Sequence, residues 1–443
     1  MNKEIILTLL INKEFTAIKS IFEIANPADL ALLFEEFSEK ELVLLFRLLT
    51  KDKAAETFAY MDSELQRILI EAFTEKELRD VMEELYVDDT VDIIKEMPAN
   101  VVTRILQISD PKTRESINTI LDYPNDSAGS LMTTEYVNLR KDLTVKEALD
   151  RIRKVGVDKE TIYTCYVTEH RKLIGIVSVK DMLLSDLNQT IDEIMETNVI
   201  FLNTHEDRET VVKMFDKYDF LAIPVVDQEQ YLVGIVTIDD AMDVLQEETT
   251  EDITKMAAVV PSEESYFNTS VLKHAKNRIL WLLLLMLSAT LTGAIITEYE
   301  NAFATIPLLV SFIPMLMDTG GNCGAQTSTM IIRGLALDEI HFSDFFKALF
   351  KEFRIALIVS VILSAVNGLR ILLMYHDPLL ALTISLSLIG TVILSKCIGC
   401  MLPMIAKKCK VDPAIMAAPL ITTLVDTCSV LVYFNIAMRI FKL

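Results

Sequence analysis

The chain has 443 residues, 51% of them apolar and 24% charged, and carries a formal net charge of −22. That length exceeds one compact core, the acidity argues against nucleic acid as a partner and for cations as ligands, and six cysteines without framework spacing argue against a disulfide-stapled fold. From residue 271 onward 14 Lys and Arg face 10 Asp and Glu, which leaves 28 against 54 before it, so an acidic part precedes an apolar one.

Residues 1 to about 125 repeat apolar positions at helical spacing, as in ADLALLFEEFSEKELVLLFRLL and AAETFAYMDSELQRILIEAF, with breaks at Asn26-Pro27 and Met97-Pro98. Residues 5–11 read as the first amphipathic helix rather than as a signal peptide. Short helices that each bury one face against their neighbours predict a small solenoid. Acids such as Asp88, Asp89 and Asp92 mark its surface. Taken singly, each reads first as part of a solvated helix face.

From about 130 to 250 the pattern alternates strand and helix, and it repeats. LIGIVSVKD at 173–181 matches LVGIVTIDD at 232–240, an offset of 59 residues. This resembles a tandem pair of CBS domains, the regulatory modules named after cystathionine β-synthase. The resemblance implies two βαββα units packed as one pseudo-symmetric unit, and adenine-nucleotide binding such as ATP. Ser178 with Asp181 and Thr237 with Asp240 would hold the ribose. The same four residues also suit helix N-caps.

The run after the second copy is polar and acidic. Asp239, Asp240, Asp243, Glu247, Glu248, Glu251 and Asp252 crowd it. Asp239, Asp243 and Glu247 stand four apart on one helix face, where like charges repel unless a cation lies among them. Such spacing suits a divalent-ion sensor.

Five apolar stretches follow, near 279–296, 302–326, 355–375, 378–402 and 414–438, each long enough to cross ~30 Å of hydrocarbon. Lys273, Lys276 and Arg278 precede the first. Arg333, Lys347, Lys351 and Arg354 lie between the second and third, and Lys407, Lys408 and Lys410 between the fourth and fifth. Positive residues mark the cytoplasmic side, so the expectation is a multi-pass protein of the cytoplasmic membrane with its N-terminus inside and its C-terminus outside. The second stretch ends in PMLMDTGGNCGAQTSTMIIRG (314–334). Irregular, glycine-broken backbone survives at membrane depth only when buried in protein or lining water, which makes residues 318–326 a candidate pore segment. The last stretch carries Asp426 among Thr422, Thr423, Thr427 and Ser429. A bare carboxylate there costs at least ~2.5 kcal/mol and needs a partner, water or a cation. The spacing of Cys397 and Cys400 suits zinc, but inside an apolar span packing is the better reading.

In that order the pieces resemble the MgtE family of magnesium transporters over the whole chain. The motif that carries the resemblance is met by Pro314, Thr319, Gly320, Gly321, Asn322, Gly324 and Gln326, with Asp426 as the last-span acid after Asp412-Pro413 and Pro419. The fold class this gives is a multidomain membrane protein: an all-α superhelical N-domain (1–128), an α/β CBS pair (129–190 and 191–248), a connecting plug helix (249–275) and a five-helix transmembrane domain (276–443). The resemblance implies a homodimer in the bilayer that imports magnesium and is not an enzyme. Its pore would be lined by Asp426, Asp318, Asn322, Gln326 and Thr423. Its gate would be closed by cytoplasmic magnesium held by the connector acids with Asp88 and Asp89. The chain departs from the family pattern in having Ala418 where some members have Asn, and Asp318 where others have glycine. Two alternatives stand beside this one: transport of another divalent ion such as cobalt or manganese, and a membrane-anchored magnesium or nucleotide sensor that does not conduct.

Overall fold

The computed structural model describes residues 2–262, 266–267, 269–299, 306–416 and 418–442. They form two compact units, residues 1–245 and 246–443.

The first unit begins with ten short helices, from Lys3–Ile11 to Pro111–Leu121. Helices this short are marginal alone, and their ends are secured locally. Asn26 accepts from the Ala28 amide with Pro27 at the first helical position, Asp110 accepts from the Lys112 and Thr113 amides, and Thr74 with Glu77 forms a capping box. Each cap contributes about 1 kcal/mol. The core repeats with the helices. Phe22, Phe34, Phe46 and Phe58 stand twelve residues apart, and their rings follow one another at 5.6, 6.4 and 6.1 Å in tilted or edge-on contact. Twelve residues make one helix plus its turn, so each unit places one phenylalanine inward. This is the expected solenoid.

Two three-stranded sheets follow. In the first, β1 (Asn138–Leu139) runs parallel to β2 (Thr164–Glu169), which pairs antiparallel with β3 (Lys172–Ser178). In the second, β4 (Leu202–Asn203), β5 (Ala222–Val226) and β6 (Leu232–Thr237) repeat that pattern. The modules interlock. Thr133, ahead of the first, exchanges backbone bonds with Ile235 of β6, while Glu196, ahead of the second, does so with Ile176 of β3. Ile176 and Ile235 are themselves 59 residues apart, so the sequence repeat has become a pseudo-two-fold.

Among the solenoid helices, α1 (Val87–Glu96) carries Asp88 and Asp89. After β6, helix α2 (Ile238–Met256) carries the connector acids. It stops at Met256, and residues 257–262 are not helical; the stretch 249–275 is therefore not one connecting helix.

The second unit holds five long helices among its described residues: α3 (Val271–Glu298), α4 (Ile313–Ala336), α5 (Phe345–Tyr375), α6 (Pro378–Lys408) and α7 (Ala418–Phe441). Helices α3, α6, the stretch Phe342–Tyr375 and the stretch Pro413–Phe441 are long and apolar enough to cross a membrane. Helix α4 is not among them, because Asp318, Asn322, Gln326 and its Thr, Ser and Gly residues dilute its apolar content. It also begins eleven residues later than the expected second span, after a 3-10 turn over Pro307–Phe312; residues 300–305 lie outside the described ones. The unit's core gathers Leu316, Ile384, Leu388, Val392, Tyr433 and Phe434.

Candidate functional site

The glycine-rich run is helical throughout, contrary to the irregular backbone expected for residues 318–326. The glycines serve packing instead. A Cβ on Gly320 would meet Ser429 Oγ and Thr391 Cγ2 at 2.8 Å, one on Gly324 would meet Ile421 Cγ2 at 2.7 Å, and one on Gly399 of α6 would lie 2.4 Å from the Gly324 carbonyl oxygen. Small residues let helices approach closely in membranes, and here they seat α4 between α6 and α7.

That seating sorts the side chains of α4 into two faces. Leu316, Gly320, Cys323, Thr327 and Ile331 are buried, whereas Asp318, Asn322 and Gln326 are exposed on the single chain. The exposed three are four apart and share one face. On α7, Asp426 is half-buried and lies within Coulombic reach of Asp318. The Thr422 and Thr423 hydroxyls donate to the Pro419 carbonyl at 3.0 and 2.9 Å, which leaves their lone pairs available as acceptors. Thr427 donates to the Thr423 carbonyl and touches Thr292 of α3 at 2.8 Å. The arrangement offers carboxylate, amide and hydroxyl oxygens, the hard donors that suit magnesium.

The first unit holds a second oxygen-rich centre. Carboxylate oxygens of Asp88, Glu135 and Glu160 all lie within 4.8 Å of one another. Asp88 is only 8% exposed, so the solvated-face reading fails for it. Glu135 accepts from the Val87 amide at 3.2 Å, at the N-terminus of α1, where an anion is favoured. Glu160 is placed by its own backbone, whose amide donates to the Glu135 carbonyl at 3.0 Å. Its Oε2 is buried without a hydrogen-bond partner. From α2, Asp240 bears on Asp88, and Asp239 on Asp89 and Glu160. Burial and this mutual repulsion push Glu160 up to about 8 and Asp89 up to about 6. The same causes raise Asp88 and Asp240. Burial raises Glu135 too, outweighing its bond to Val87 and the nearby Lys159. Acids held together against their own repulsion suit a divalent cation, and the orphaned Glu160 oxygen is a ready ligand.

Of the expected regulatory acids, Asp88, Asp89, Asp239 and Asp240 therefore converge. Asp243 acts on Asp89 and is itself raised by burial, Asp239 and Asp92, while Glu247, Glu248, Glu251 and Asp252 lie farther along α2, in the second unit. There Lys255 pairs with Glu251 and, at 2.7 Å, with Asp412 just ahead of the last helix. Of the expected nucleotide residues, Ser178 and Asp181 cap each other, hydroxyl to carboxylate at 2.6 Å and amide to hydroxyl at 3.0 Å. The Thr237 hydroxyl donates to Asp240. None of the four lines the cleft of about 90 Å³ between Leu173, Ile174, Thr197, Val199, Phe201, Val226 and Gln230. Cys397 and Cys400 are free thiols, the latter buried.

Glu135 and Glu160 are absent from the sequence-derived set, because they lie in loops of a module whose motif draws attention elsewhere. Lys396 is also absent, although a lysine inside an apolar span is visible from sequence. It is 6% exposed on α6 and donates to Thr327 of α4 at 3.1 Å.

Comparison with known proteins bears on this geometry. Residues 313–436 match the MgtE family, described as a divalent cation transporter, residues 25–126 the MgtE intracellular N domain, and residues 128–187 and 191–247 the CBS domain. The magnesium transporter MgtE of Thermus thermophilus is 35% identical over 95% of this chain and 94% of its own length. That of Bacillus subtilis is 32% identical over 98% and 96%. The solved cytosolic domain of the Mg2+ channel MgtE in complex with ATP matches with a TM-score of 0.52 at 36% identity, covering 54% of this chain and 98% of that one. With near full-length coverage on both sides and the motif glycines seated at the helix contacts above, the chain belongs to the MgtE family of magnesium transporters.

Proposed function

We propose that two copies of the chain form a magnesium channel whose path runs between the exposed faces of α4 and α7, with Asp426 as the principal ion ligand and Asp318, Asn322, Gln326 and Thr423 beside it. The observation that carries this is the exposed stripe Asp318, Asn322, Gln326 on α4. An acid at the centre of a span costs ~2.5–3.5 kcal/mol in lipid, so the stripe faces water or a second subunit rather than hydrocarbon. A two-fold copy would bring one Asp426 from each subunit, and magnesium, which keeps most of its waters, is normally held by one or two carboxylates.

The acidic centre at Asp88, Glu135 and Glu160, with Asp89, Asp239 and Asp240, is the proposed cytoplasmic sensor. Bound magnesium there supplies the positive charge that lets these acids stay together. When it is lost, repulsion favours separation of the solenoid from the CBS pair, and α2 relays that change toward the membrane. Import is then restrained when the cell is replete. ATP binding by the CBS pair rests on the ATP complex of the related cytosolic domain.

The test is magnesium flux into liposomes with the magnesium concentration on the cytoplasmic-domain side varied. Flux that falls as that concentration rises supports channel and gate together. A channel preferring cobalt or manganese would show in competition among the three ions, and absence of flux for all of them would leave a sensor.

A further inference from the structure

Lys396 is a charged residue buried inside α6, a helix long and apolar enough to cross a membrane. Its side chain is 7% exposed and that of Glu352 on α5 is 14% exposed, with Nζ 3.8 Å from Oε2. Thr327 of α4, 2% exposed, stands between them. It receives the Lys396 hydrogen bond at 3.1 Å and donates to Glu352 Oε2 at 3.1 Å. One hydroxyl thus joins an ammonium to a carboxylate across three helices. Replacing a buried ion pair by apolar side chains is often neutral or stabilising, so stability alone gives little reason for this pair to sit in an apolar unit.

Its place suggests another reason. Thr327 follows Gln326, the member of the exposed stripe nearest the basic segment 333–354 that the positive-residue rule assigns to the cytoplasmic side, and α4 is about 10 Å across. The pair therefore lies immediately behind the helix that would line the ion path. At that range and in a weakly polar medium, one uncancelled charge acts strongly on a divalent ion, whereas a cancelled pair acts weakly. Conduction needs sites that release the ion as well as receive it.

We propose that Lys396 is a field-tuning residue of the pore: its ammonium cancels the Glu352 carboxylate behind α4, so that a divalent cation arriving from Asp426 is not trapped at the cytoplasmic end. The inference rests on the channel reading above. Glu352 is the charge to be cancelled, and Thr327 holds the two in register.

The experiment is half-saturation of magnesium flux in liposomes for K396M, E352Q, the double variant and K396R, each first checked as a monodisperse protein. K396M leaves a net negative charge, and its half-saturating magnesium concentration should fall by about tenfold, with a lower maximal flux as release slows. E352Q leaves a net positive charge, and the concentration should rise by about tenfold. The double variant should return to within about threefold of the unsubstituted protein. K396R, which keeps the charge but changes the packing, should stay close to it. A purely structural strut predicts that K396M and E352Q shift the value in the same direction and that the double variant is no better than either; that result overturns the proposal. A large shift in K396R overturns it as well, and decides the matter if a neutralised single variant does not fold. No flux in the unsubstituted protein would instead overturn the channel reading itself.

Discussion

Lys255 Nζ lies 2.7 Å from Asp412 Oδ2, so the end of the acidic helix α2 is tied by charge to the segment that leads into the Asp426 helix. Both side chains keep some exposure, 26% and 30%, and the pair raises the Lys255 pKa through its bonds to Asp412 and Glu251 against the opposing effect of burial. A pair this exposed contributes at most about 1 kcal/mol. K255A should therefore leave thermal stability nearly unchanged while shifting the closed-to-open ratio by up to about fivefold. The expected outcome is higher residual flux at saturating cytoplasmic-side magnesium, read in the liposome assay.

The acidic centre gives the divalent-free protein a definite pH dependence. Glu160 and Asp89 hold protons in the folded state up to about 8 and about 6, but only to about 4 in an unfolded chain. The folded state binds more protons between those values, so stability falls as pH rises from about 4 to 8. Calorimetry of the full chain in detergent without divalent ions should show the cytosolic transition moving down over that range. Magnesium should abolish most of the slope, because it replaces the protons. Its affinity should accordingly rise from pH 6 to pH 8.

Glu160 is the sharpest single probe of that centre, since its Oε2 has no hydrogen-bond partner. Above about pH 8, where Glu160 carries its charge in the folded protein, E160Q removes one of the mutually repelling carboxylates. Without magnesium it should stabilise the cytosolic unit by on the order of 1 kcal/mol. It should also raise the magnesium concentration needed to close the channel. Unchanged gating in E160Q would remove Glu160 from the sensor.

Gly399 tests the packing that positions the exposed face of α4. A Cβ there would sit 2.4 Å from the Gly324 carbonyl oxygen, and neither backbone can yield without moving α4 or α6. G399A should cost about 1–3 kcal/mol. It should lower the melting temperature of the membrane unit in detergent, while G293A, which meets nothing within 4 Å, should not.

Much of this architecture is legible in sequence because its periodicities are strong. The solenoid shows in helical spacing, and the CBS pair in the offset that links Ile176 to Ile235. The run after Asp318 reads as a pore segment, but its glycines read as breaks. They are contact points, and only the tertiary partners Thr391, Ile421, Ser429 and the backbone of α6 reveal that. A helix that would be weak in water holds in the membrane unit because its backbone hydrogen bonds have no competitor there. The acidic centre is half visible. Asp88, Asp89, Asp239 and Asp240 stand out as acids on helices, whereas Glu135 and Glu160 become neighbours of Asp88 only once loops fold across one another. Lys396 was visible, but its meaning depends on Glu352 and Thr327, which sit 44 and 69 residues away in sequence.

Asp426 is the proposed ligand of the conducted ion. Magnesium uptake into liposomes by D426N, compared with the unsubstituted protein at equal reconstitution, tests that assignment most directly. Flux should fall by at least tenfold, with the magnesium-dependent melting transition of the first unit retained. Undiminished magnesium flux in D426N would contradict the assignment and move the ion path away from the α4 and α7 faces.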